Sequence, residues 1–487
     1  MPNGGISMNG LILYGAGKRC RALCKILRWD NATILAIVDS DPANWGKNIE
    51  GNQVVNPDRI KEYQEAHICI AVADLYAVKE IRQVLRQVYH YDLKKEIGYH
   101  KLILDVYKKN YKIEQRITCQ TPDVNKKETI MFDCYDGLGL GGIEAWTIDI
   151  CEALLKRYKD IFIISDNVTC NMPDSIKRNV ISVDINHNEP FSLNTITNLI
   201  EAIMNKLPCK IITSKPDGVM LAAYLLKQYY PDMVEIISVI HGGNYRIYEE
   251  YMDLKECSDI YIGVSQDIRN DMILKGIKPE KVYSMTCPFP CEPILDRVYT
   301  EDAFSPIHIG YAGRMDGMKY SQKRMDLLLR LVEVLERDRI HYNMELAGDG
   351  PARKEMEEFV YGNGLHEKVH FSGRLNRSEI SDFWKRQDIC INLADYEGRS
   401  ISIIEAMGNG TVPVVTATSG VKEDIMDGTN GYIVPIGDYF ATAKRIEYLA
   451  AHREKLHTMG KLAHEMVYPK SLMETHLKFW EKILDLQ

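Results

Sequence analysis

Two glutamates and two cations in the last third of the chain have the types and spacing to bind a charged ligand. Glu397 and Glu405 stand on either side of a predicted helix start near Ser400, in the stretch DYEGRSISIIEAM. Arg314 and Lys323 follow an upstream predicted strand and carry fixed positive charge. The amino end of a helix attracts phosphate, and a carboxylate accepts hydrogen bonds from hydroxyls. These residue types together predict a pocket for a charged nucleotide.

Each of these residues also has an ordinary structural explanation. Ser402 and Glu405 match the capping-box pattern, in which the glutamate accepts a hydrogen bond from a backbone amide at the helix start. Glu397 is equally explained as a solvated loop carboxylate, and Gly313-Arg314 as a turn with a solvated charge. Four suitable strand-end loops in one sheet are less easily explained by chance, so we favour the binding pocket.

Alternating strand and helix patterns run along the whole chain and predict an α/β fold that positions these loops. Three series begin at LILYGAG, TIMFDCY and PIHIGYAGRM, and the polar QRITCQTPDVNKKET and the proline-rich CPFPCEP separate them. Short buried strands alternating with helices indicate parallel sheets covered on both faces. Ligands bind at the carboxyl ends of such strands. In the third series these ends carry YAGRM, AGDGP, SGRL and DYEG.

Composition and charge restrict the class of protein. Among 487 residues, 60 Lys and Arg face 68 Asp and Glu, giving a net charge of -8, which argues against a nucleic-acid partner. No apolar run reaches the roughly 18 residues of a membrane span, and MPNGGISMNG lacks the parts of a signal peptide. The 12 cysteines lack metal- or redox-type spacing and fit reduced thiols. We therefore expect a cytoplasmic protein.

The third series resembles the donor-side domain of family 4 glycosyltransferases. The family's signature is two glutamates separated by seven residues, then Ala-Met-x-x-Gly and Pro-Val-Val, here EGRSISIIEAMGNGTVPVV. YAGRM and QKRMDLL look like its Gly-Arg and Lys elements, and AGDGP and VHFSGRL like its next strand ends. LGGIEAW and SVIHGG in the second series resemble its Gly-Gly loop and its strand ending in histidine. The chain departs from the family at Arg399-Ser400-Ile401, where Phe-Gly-Leu is usual.

The resemblance implies the GT-B fold, in which two Rossmann-like domains face each other across a cleft, here preceded by a third small Rossmann-like domain. The predicted segments are an accessory domain at 1–115, an acceptor domain at 128–300, a donor domain at 301–470 and a helix at 471–487 that crosses back to the acceptor domain. The polar linker also predicts that a chain beginning near Thr121 folds alone and keeps transfer.

The activity that the resemblance implies is retaining transfer of a hexose-type sugar from a UDP- or GDP-sugar to a glycan, lipid-linked or protein acceptor, as in bacterial surface polysaccharide or glycoconjugate synthesis. Arg314 and Lys323 would stabilise the leaving phosphate, together with backbone amides of the turn at 399–402. Glu405 would bind the ribose hydroxyls. The predicted catalytic residues are Glu397, His241, Arg314 and Lys323. The predicted donor contacts are Gly142, Arg314, Lys323, Glu397, Gly398, Arg399, Ser400, Ile401 and Glu405. No cofactor and no metal are required.

The first series looks like a dinucleotide-binding turn followed by an acidic strand end. Gly15 and Gly17 lie in LYGAGKRC, where Cys20 replaces the third glycine, and Asp39 ends the next strand, where an acidic residue meets a ribose. The block resembles nucleotide- or CoA-binding-like modules at the front of bacterial polysaccharide-biosynthesis proteins. An unidentified nucleotide would bind this turn, and the predicted role is regulation or docking.

Two alternative functions stay open at the level of the sequence. One is a non-catalytic partner subunit that binds a nucleotide sugar or a glycan on the same fold, although the intact Glu397, Glu405, Arg314 and Lys323 argue against it. The other is a phosphorylase or nucleotide-sugar epimerase. The sequence leaves open the sugar, the acceptor, the oligomeric state, and association with the inner membrane face or with other glycosyltransferases.

Overall fold

The computed structural model describes residues 10–116, 127–134, 142–166, 173–289, 291–293, 295, 297–299, 301–302 and 304–485. Two compact units divide the chain. The first consists of Met1–Val239 and Tyr245–Tyr261, and the second of Ile240–Asn244 and Ile262–Gln487. Three sheets surrounded by helices confirm the predicted α/β class.

The first sheet lies in the amino-terminal part of the first unit, which we call the front domain (residues 10–116). Its strands are β1 (Leu11–Tyr14), β2 (Ile34–Val38), β3 (Asn48–Ile49), β4 (Asn52–Val55) and β5 (His67–Ile70), in the order β3-β4-β2-β1-β5. Its helices are α1 (Lys18–Trp29), α2 (Leu75–Gln87) and α3 (Tyr99–Asn110). Every residue of β1 is buried, as expected for a parallel strand covered on both faces.

The second sheet has seven strands in the order β12-β11-β10-β9-β6-β7-β8. The strands are β6 (Thr129–Asp133), β7 (Ile161–Ser165), β8 (Val180–Ser182), β9 (Cys209–Thr213), β10 (Val234–Ile240), β11 (Ile260–Gly263) and β12 (Val282–Ser284). The helices are α4 (Gly142–Leu155), α5 (Asp174–Lys177), α6 (Leu193–Met204), α7 (Gly218–Tyr229), α8 (Tyr245–Asp253) and α9 (Gln266–Leu274). β6 and β9 are buried along their whole length and pair in parallel at the centre of the sheet.

The third sheet lies in the second unit. Its strands are β13 (Ile307–Ala312), β14 (Tyr342–Ala347), β15 (Val369–Gly373), β16 (Ile389–Asn392), β17 (Val412–Thr416) and β18 (Tyr432–Val434). Its helices are α10 (Met325–Arg337), α11 (Arg353–Gly362), α12 (Arg377–Lys385), α13 (Ile401–Gly408), α14 (Val421–Asp424), α15 (Tyr439–Ala451), α16 (Glu454–Ser471) and α17 (Met473–Ile483). All its paired strands are parallel.

The strand order of the third sheet reverses between β13 and β16. The sheet reads β15-β14-β13-β16-β17-β18, so the chain winds outward in one direction from β13 and in the other from β16. Ligands of open parallel sheets bind outside the carboxyl ends of the strands at such a switch point. The loops that leave β13 and β16 carry the predicted Arg314, Lys323 and Glu397.

The domain boundaries given above from the sequence stay predictions. Over the described ranges, no helix combines the length and the apolar character that crossing a membrane needs. A small sheet domain precedes the two larger sheets, as the sequence predicts.

Candidate functional site

An ion pair between Lys323 and Glu397 stands at the switch point of the third sheet. Lys323 Nζ donates to Glu397 Oε1, and Gln322 Nε2 donates to Glu397 Oε2 at 3.1 Å. Asn392 Nδ2 lies 3.4 Å from Oε1. Glu397 is only 7% exposed, so its carboxylate is held by one cation and two amide groups and is not a solvated loop charge.

Arg314 lies at the exposed rim of the same cluster. Its guanidinium donates to Gln322 Oε1 at 3.0 Å and is 3.7 Å from a carboxylate oxygen of Asp316. Gln322 therefore connects Arg314 to Glu397, a role that was not predicted from the sequence. Its position directly before Lys323, in the stretch QKRMDLL, is the signal that could have identified it.

Asn392 connects the ion pair to the start of α13. Its Nδ2 donates to Ser400 Oγ at 3.2 Å, and Ser400 Oγ is 3.1 Å from Ser402 Oγ. Ser400 is the N-cap of α13 but makes no side-chain cap hydrogen bond. The first amides of a helix have no partner within the helix, so these amides are available to an anion beside Glu397.

The capping-box explanation of Glu405 is wrong. α13 begins at Ile401 with Ser400 as its N-cap, so the third helical position is Ile403. A capping box needs its glutamate at that third position, whereas Glu405 lies two residues further along. Glu405 is partly buried, and its charge adds to the effect of burial in raising the pKa of Cys390 on β16.

The segment Ile240–Asn244 brings the backbone of His241 next to Glu397. This segment belongs to the same compact unit as the third sheet. A Cβ on Gly398 would lie 2.1 Å from the His241 carbonyl oxygen, and a Cβ on Gly243 would lie 2.6 Å from the Glu397 carbonyl oxygen. Glycine is required at both positions because no side chain fits so close an approach. All four predicted catalytic residues thus lie in one unit.

The side chain of Arg399 is held by two carboxylates. Its Nε donates to Asp424 at 2.9 Å and its Nη1 donates to Glu423 at 3.2 Å. Burial raises the pKa of Glu423, and the nearby Arg399 guanidinium opposes that shift. Because this guanidinium is 7% exposed, only the backbone of Arg399 is left for the predicted contact with a donor.

Gly142 belongs to the first compact unit, whereas the remaining predicted donor contacts belong to the second. It is the exposed first residue of α4, and Gly141, its neighbour in the predicted Gly-Gly loop, lies outside the described residues. Its contact with a donor stays a prediction.

In the front domain, the carboxylate of Asp39 accepts hydrogen bonds from two backbone amides, one after β1 and one after β2. Oδ2 accepts a hydrogen bond from the Ala16 amide at 2.7 Å, and Oδ1 accepts one from the Asp41 amide at 2.8 Å. Ala16 lies between Gly15 and Gly17, so the amide at the middle of the predicted phosphate-binding turn already has a partner. A nucleotide bound in the predicted way would have to replace this contact, and its binding stays a prediction.

The part of the chain that holds the Lys323–Glu397 ion pair is similar to a known protein family. Residues 308–466 match the family model described as glycosyl transferases group 1. These residues therefore resemble a group 1 glycosyltransferase domain, and we call them the transferase domain. This transferase domain contains the switch point and both glutamates. Residues 7–97, in the front domain, match the family model C2185-like, N-terminal.

Relatives and solved structures extend the likeness beyond the transferase domain. The N-acetyl-alpha-D-glucosaminyl L-malate synthase of Bacillus anthracis is 22% identical over 278 residues, which are 54% of this chain and 71% of that protein. Anabaena HepE in complex with UDP-glucose superposes with a TM-score of 0.60 at 15% identity, over 74% of this chain and 100% of HepE. S. aureus TarM superposes with a TM-score of 0.50 at 14% identity, over 98% of this chain and 100% of TarM. The predicted GT-B fold is confirmed by such neighbours.

Proposed function

We propose that this chain is a retaining glycosyltransferase that moves a hexose-type sugar from a nucleoside diphosphate sugar to a hydroxyl of a glycan, lipid-linked or protein acceptor. The observation that carries the proposal is the Lys323–Glu397 pair beside the amino end of α13. A cation and helix amides suit the diphosphate, and a buried carboxylate suits sugar hydroxyls. HepE, which is named in complex with UDP-glucose, supports a UDP-sugar donor.

The proposed mechanism follows from where charge develops. Cleavage of the bond between sugar and diphosphate leaves negative charge on the phosphate oxygens. Lys323 forms an ion pair with Glu397. Sugar hydroxyls that donate to Glu397 would free Lys323 to turn toward the leaving phosphate, with Arg314 at the rim and the first amides of α13 as further donors. In a front-face displacement, the leaving phosphate accepts the proton of the acceptor hydroxyl, so no separate general base is needed.

The biological setting is proposed from the kinds of protein that share the fold. One neighbour is named as a lipopolysaccharide outer core galactosyltransferase, and it superposes over 74% of this chain at 16% identity. TarM is named in complex with an oligosaccharide, a sugar-glycerol and UDP. These names support a glycan or lipid-linked acceptor in surface polysaccharide or glycoconjugate synthesis.

Replacing Glu405 with alanine is expected to weaken the binding of free UDP or GDP as well as of the whole donor. Loss of one charge-assisted pair with the ribose hydroxyls costs about 1.5–3 kcal/mol, or roughly 10- to 150-fold in affinity. Since Glu405 is not part of a capping box, the melting temperature should stay close to that of the wild type. Titration calorimetry with the nucleoside diphosphate measures the first effect, and thermal melting the second.

The matched control for Glu405→Ala is Glu333→Ala, which removes an exposed glutamate from α10 of the same domain. It should leave nucleotide affinity unchanged. Unchanged nucleotide affinity in Glu405→Ala, with or without a loss of stability, would refute the ribose assignment.

Transfer is expected to continue in the presence of excess EDTA. The charge on the leaving phosphate would be met by the side-chain cations Lys323 and Arg314 and by the α13 amides, none of which a chelator removes. Product formation is measured with donor and acceptor before and after chelation. Loss of activity in EDTA and its restoration by manganese would contradict this mechanism.

A further inference from the structure

One face of helix α8 is attached to the front domain within the first compact unit. At its start, the Tyr245 hydroxyl donates to the Leu75 carbonyl at 3.1 Å, and Arg246 Nη2 donates to the Val72 carbonyl at 3.3 Å. Val72 lies between β5 and α2, and Leu75 is the first residue of α2. Arg246 is only 8% exposed, so its charged side chain is buried in this contact.

Two ion pairs continue the attachment along the same face of α8. Arg82 on α2 lies 2.8 Å from Glu249, and Arg19 on α1 lies 3.2 Å from Glu250. Glu250 also lies 3.4 Å from Arg246. The two front-domain arginines and the helix therefore share a network of charges that is largely shielded from water.

Asp253, the last residue of α8, caps helix α3 of the front domain. Its carboxylate accepts hydrogen bonds from the backbone amides of Lys101 and His100, and burial raises its pKa to about 7. Gly98 is the N-cap of α3 and provides no side-chain cap. A Cβ on Gly98 would lie 1.9 Å from Asp253 Oδ1. Gly98 thus leaves room for the Asp253 carboxylate, and this carboxylate takes the place of an N-cap side chain.

The chain enters α8 directly from the donor-site segment His241–Asn244. Gly243 in that segment approaches the Glu397 carbonyl, and Gly398 approaches the His241 carbonyl. Tyr245, the first residue of α8, follows Asn244 directly in the chain and is also where the attachment to the front domain begins.

We propose that the front domain positions the His241–Gly243 segment of the donor site by holding helix α8. The proposal rests on the proposed function of that site. It replaces the expectation that a chain beginning near Thr121 keeps transfer, because such a chain would lack the front-domain partners of Arg246, Glu249, Glu250 and Asp253. Asp253 and Arg246 act here as positioning residues and touch no substrate.

The test compares the full-length wild type with Asp253→Ala. Hydrogen–deuterium exchange should become faster in a peptide that covers residues 240–244, and turnover of UDP-glucose should fall by roughly tenfold, a size typical of coupling between separate sites. The Kd for UDP should stay within about twofold, because the proposed nucleotide contacts, which are Arg314, Lys323, Glu405 and the α13 amides, lie outside residues 240–244. Asp253→Asn keeps an oxygen acceptor for the α3 amides and should restore most of the turnover.

Arg59→Gln is the control, since Arg59 pairs with Glu62 on the exposed surface of the front domain. It should change neither exchange nor turnover. If Asp253→Ala does not fold, Tyr245→Phe removes a single hydrogen bond to Leu75 and should show the same effects at smaller size. Unchanged exchange at 240–244 and unchanged turnover in the folded variants would overturn the proposal. If the wild type turns over no nucleotide sugar, the proposed function fails, and the exchange at 240–244 still decides the positioning role.

Discussion

Replacing Lys323 with methionine is expected to lower turnover by about 10²- to 10³-fold, the usual cost of removing one preorganised group that stabilises developing negative charge. Methionine keeps the length of the side chain and removes its charge. The Lys323 and Glu397 side chains are 12% and 9% exposed, so water can replace the ammonium group only poorly. Single-turnover release of the sugar from the donor measures the chemical step directly.

Lys319→Met is the matched control for Lys323→Met. Lys319 lies in the same loop but is exposed, so its replacement should leave turnover unchanged. Lys323→Arg keeps a cation beside Glu397 and guards against an effect that arises only from the unpaired carboxylate. Turnover of Lys323→Met within threefold of the wild type would remove Lys323 from the mechanism.

Replacing Arg399 with alanine is expected to lower the free energy of unfolding by about 3–5 kcal/mol, the usual cost of leaving buried charge without its partner. Asp424 is 3% exposed and, among the residues that the structure describes, would keep Lys470 at 3.5 Å as its cation. Glu423 would also lose its contact with Arg399 while it still accepts the Gln266 amide at 2.5 Å. Urea unfolding of the full-length protein, followed by circular dichroism, measures the loss.

Arg337→Ala gives the comparison for a surface ion pair. Arg337 is 59% exposed and lies 2.8 Å from Asp338, and exposed pairs contribute about 0–1 kcal/mol. An Arg399→Ala protein that is as stable as Arg337→Ala would show that the Arg399 cluster does not stabilise the turn after Glu397.

The Arg399 cluster lies where this chain departs from the pattern of the family 4 glycosyltransferases that it resembles. Where the family usually has phenylalanine, this chain has an arginine whose partners, Glu423 and Asp424, lie on α14. The departure therefore changes how the loop is anchored and does not add a free cation to the pocket. The sequence could not show this, because nothing in the local pattern connects position 399 with positions 423 and 424.

Local sequence patterns predicted the strands and the helix start, which depend on residues that are close together in the chain. Apolar strands bounded by glycine turns identified the parallel sheets, and the serine before an apolar run placed the start of α13 within one residue. The capping-box hypothesis was wrong because the sequence pattern does not say which of two serines, Ser400 or Ser402, is the N-cap. Asn392 was missed because an amide side chain has no characteristic spacing, and its role depends on the carboxylate it meets. Gln322 was missed although it stands directly before the predicted Lys323.

The contacts between α8 and the front domain could not be predicted from the sequence. Gly98 resembles an ordinary glycine before a helix, and Asp253 an ordinary acidic residue at a helix end. Their close approach becomes visible only in the folded chain. The polar linker suggested an independent front domain. The buried Arg246 and the capping of α3 by Asp253 indicate instead that the front domain is attached to α8.

The central claim is that the switch point of the third sheet binds a nucleoside diphosphate sugar, and thermal melting with UDP-glucose and with GDP-mannose tests it most directly. A ligand at a hundred times its Kd stabilises the folded state by about 2.7 kcal/mol, which corresponds to a rise of roughly 5–10 °C in Tm for a domain of this size. We predict such a rise with one of the two sugars, and a smaller rise at the same ligand concentration in Glu405→Ala. A wild-type protein whose Tm is unchanged by both sugars, and by UDP and GDP, would contradict the claim.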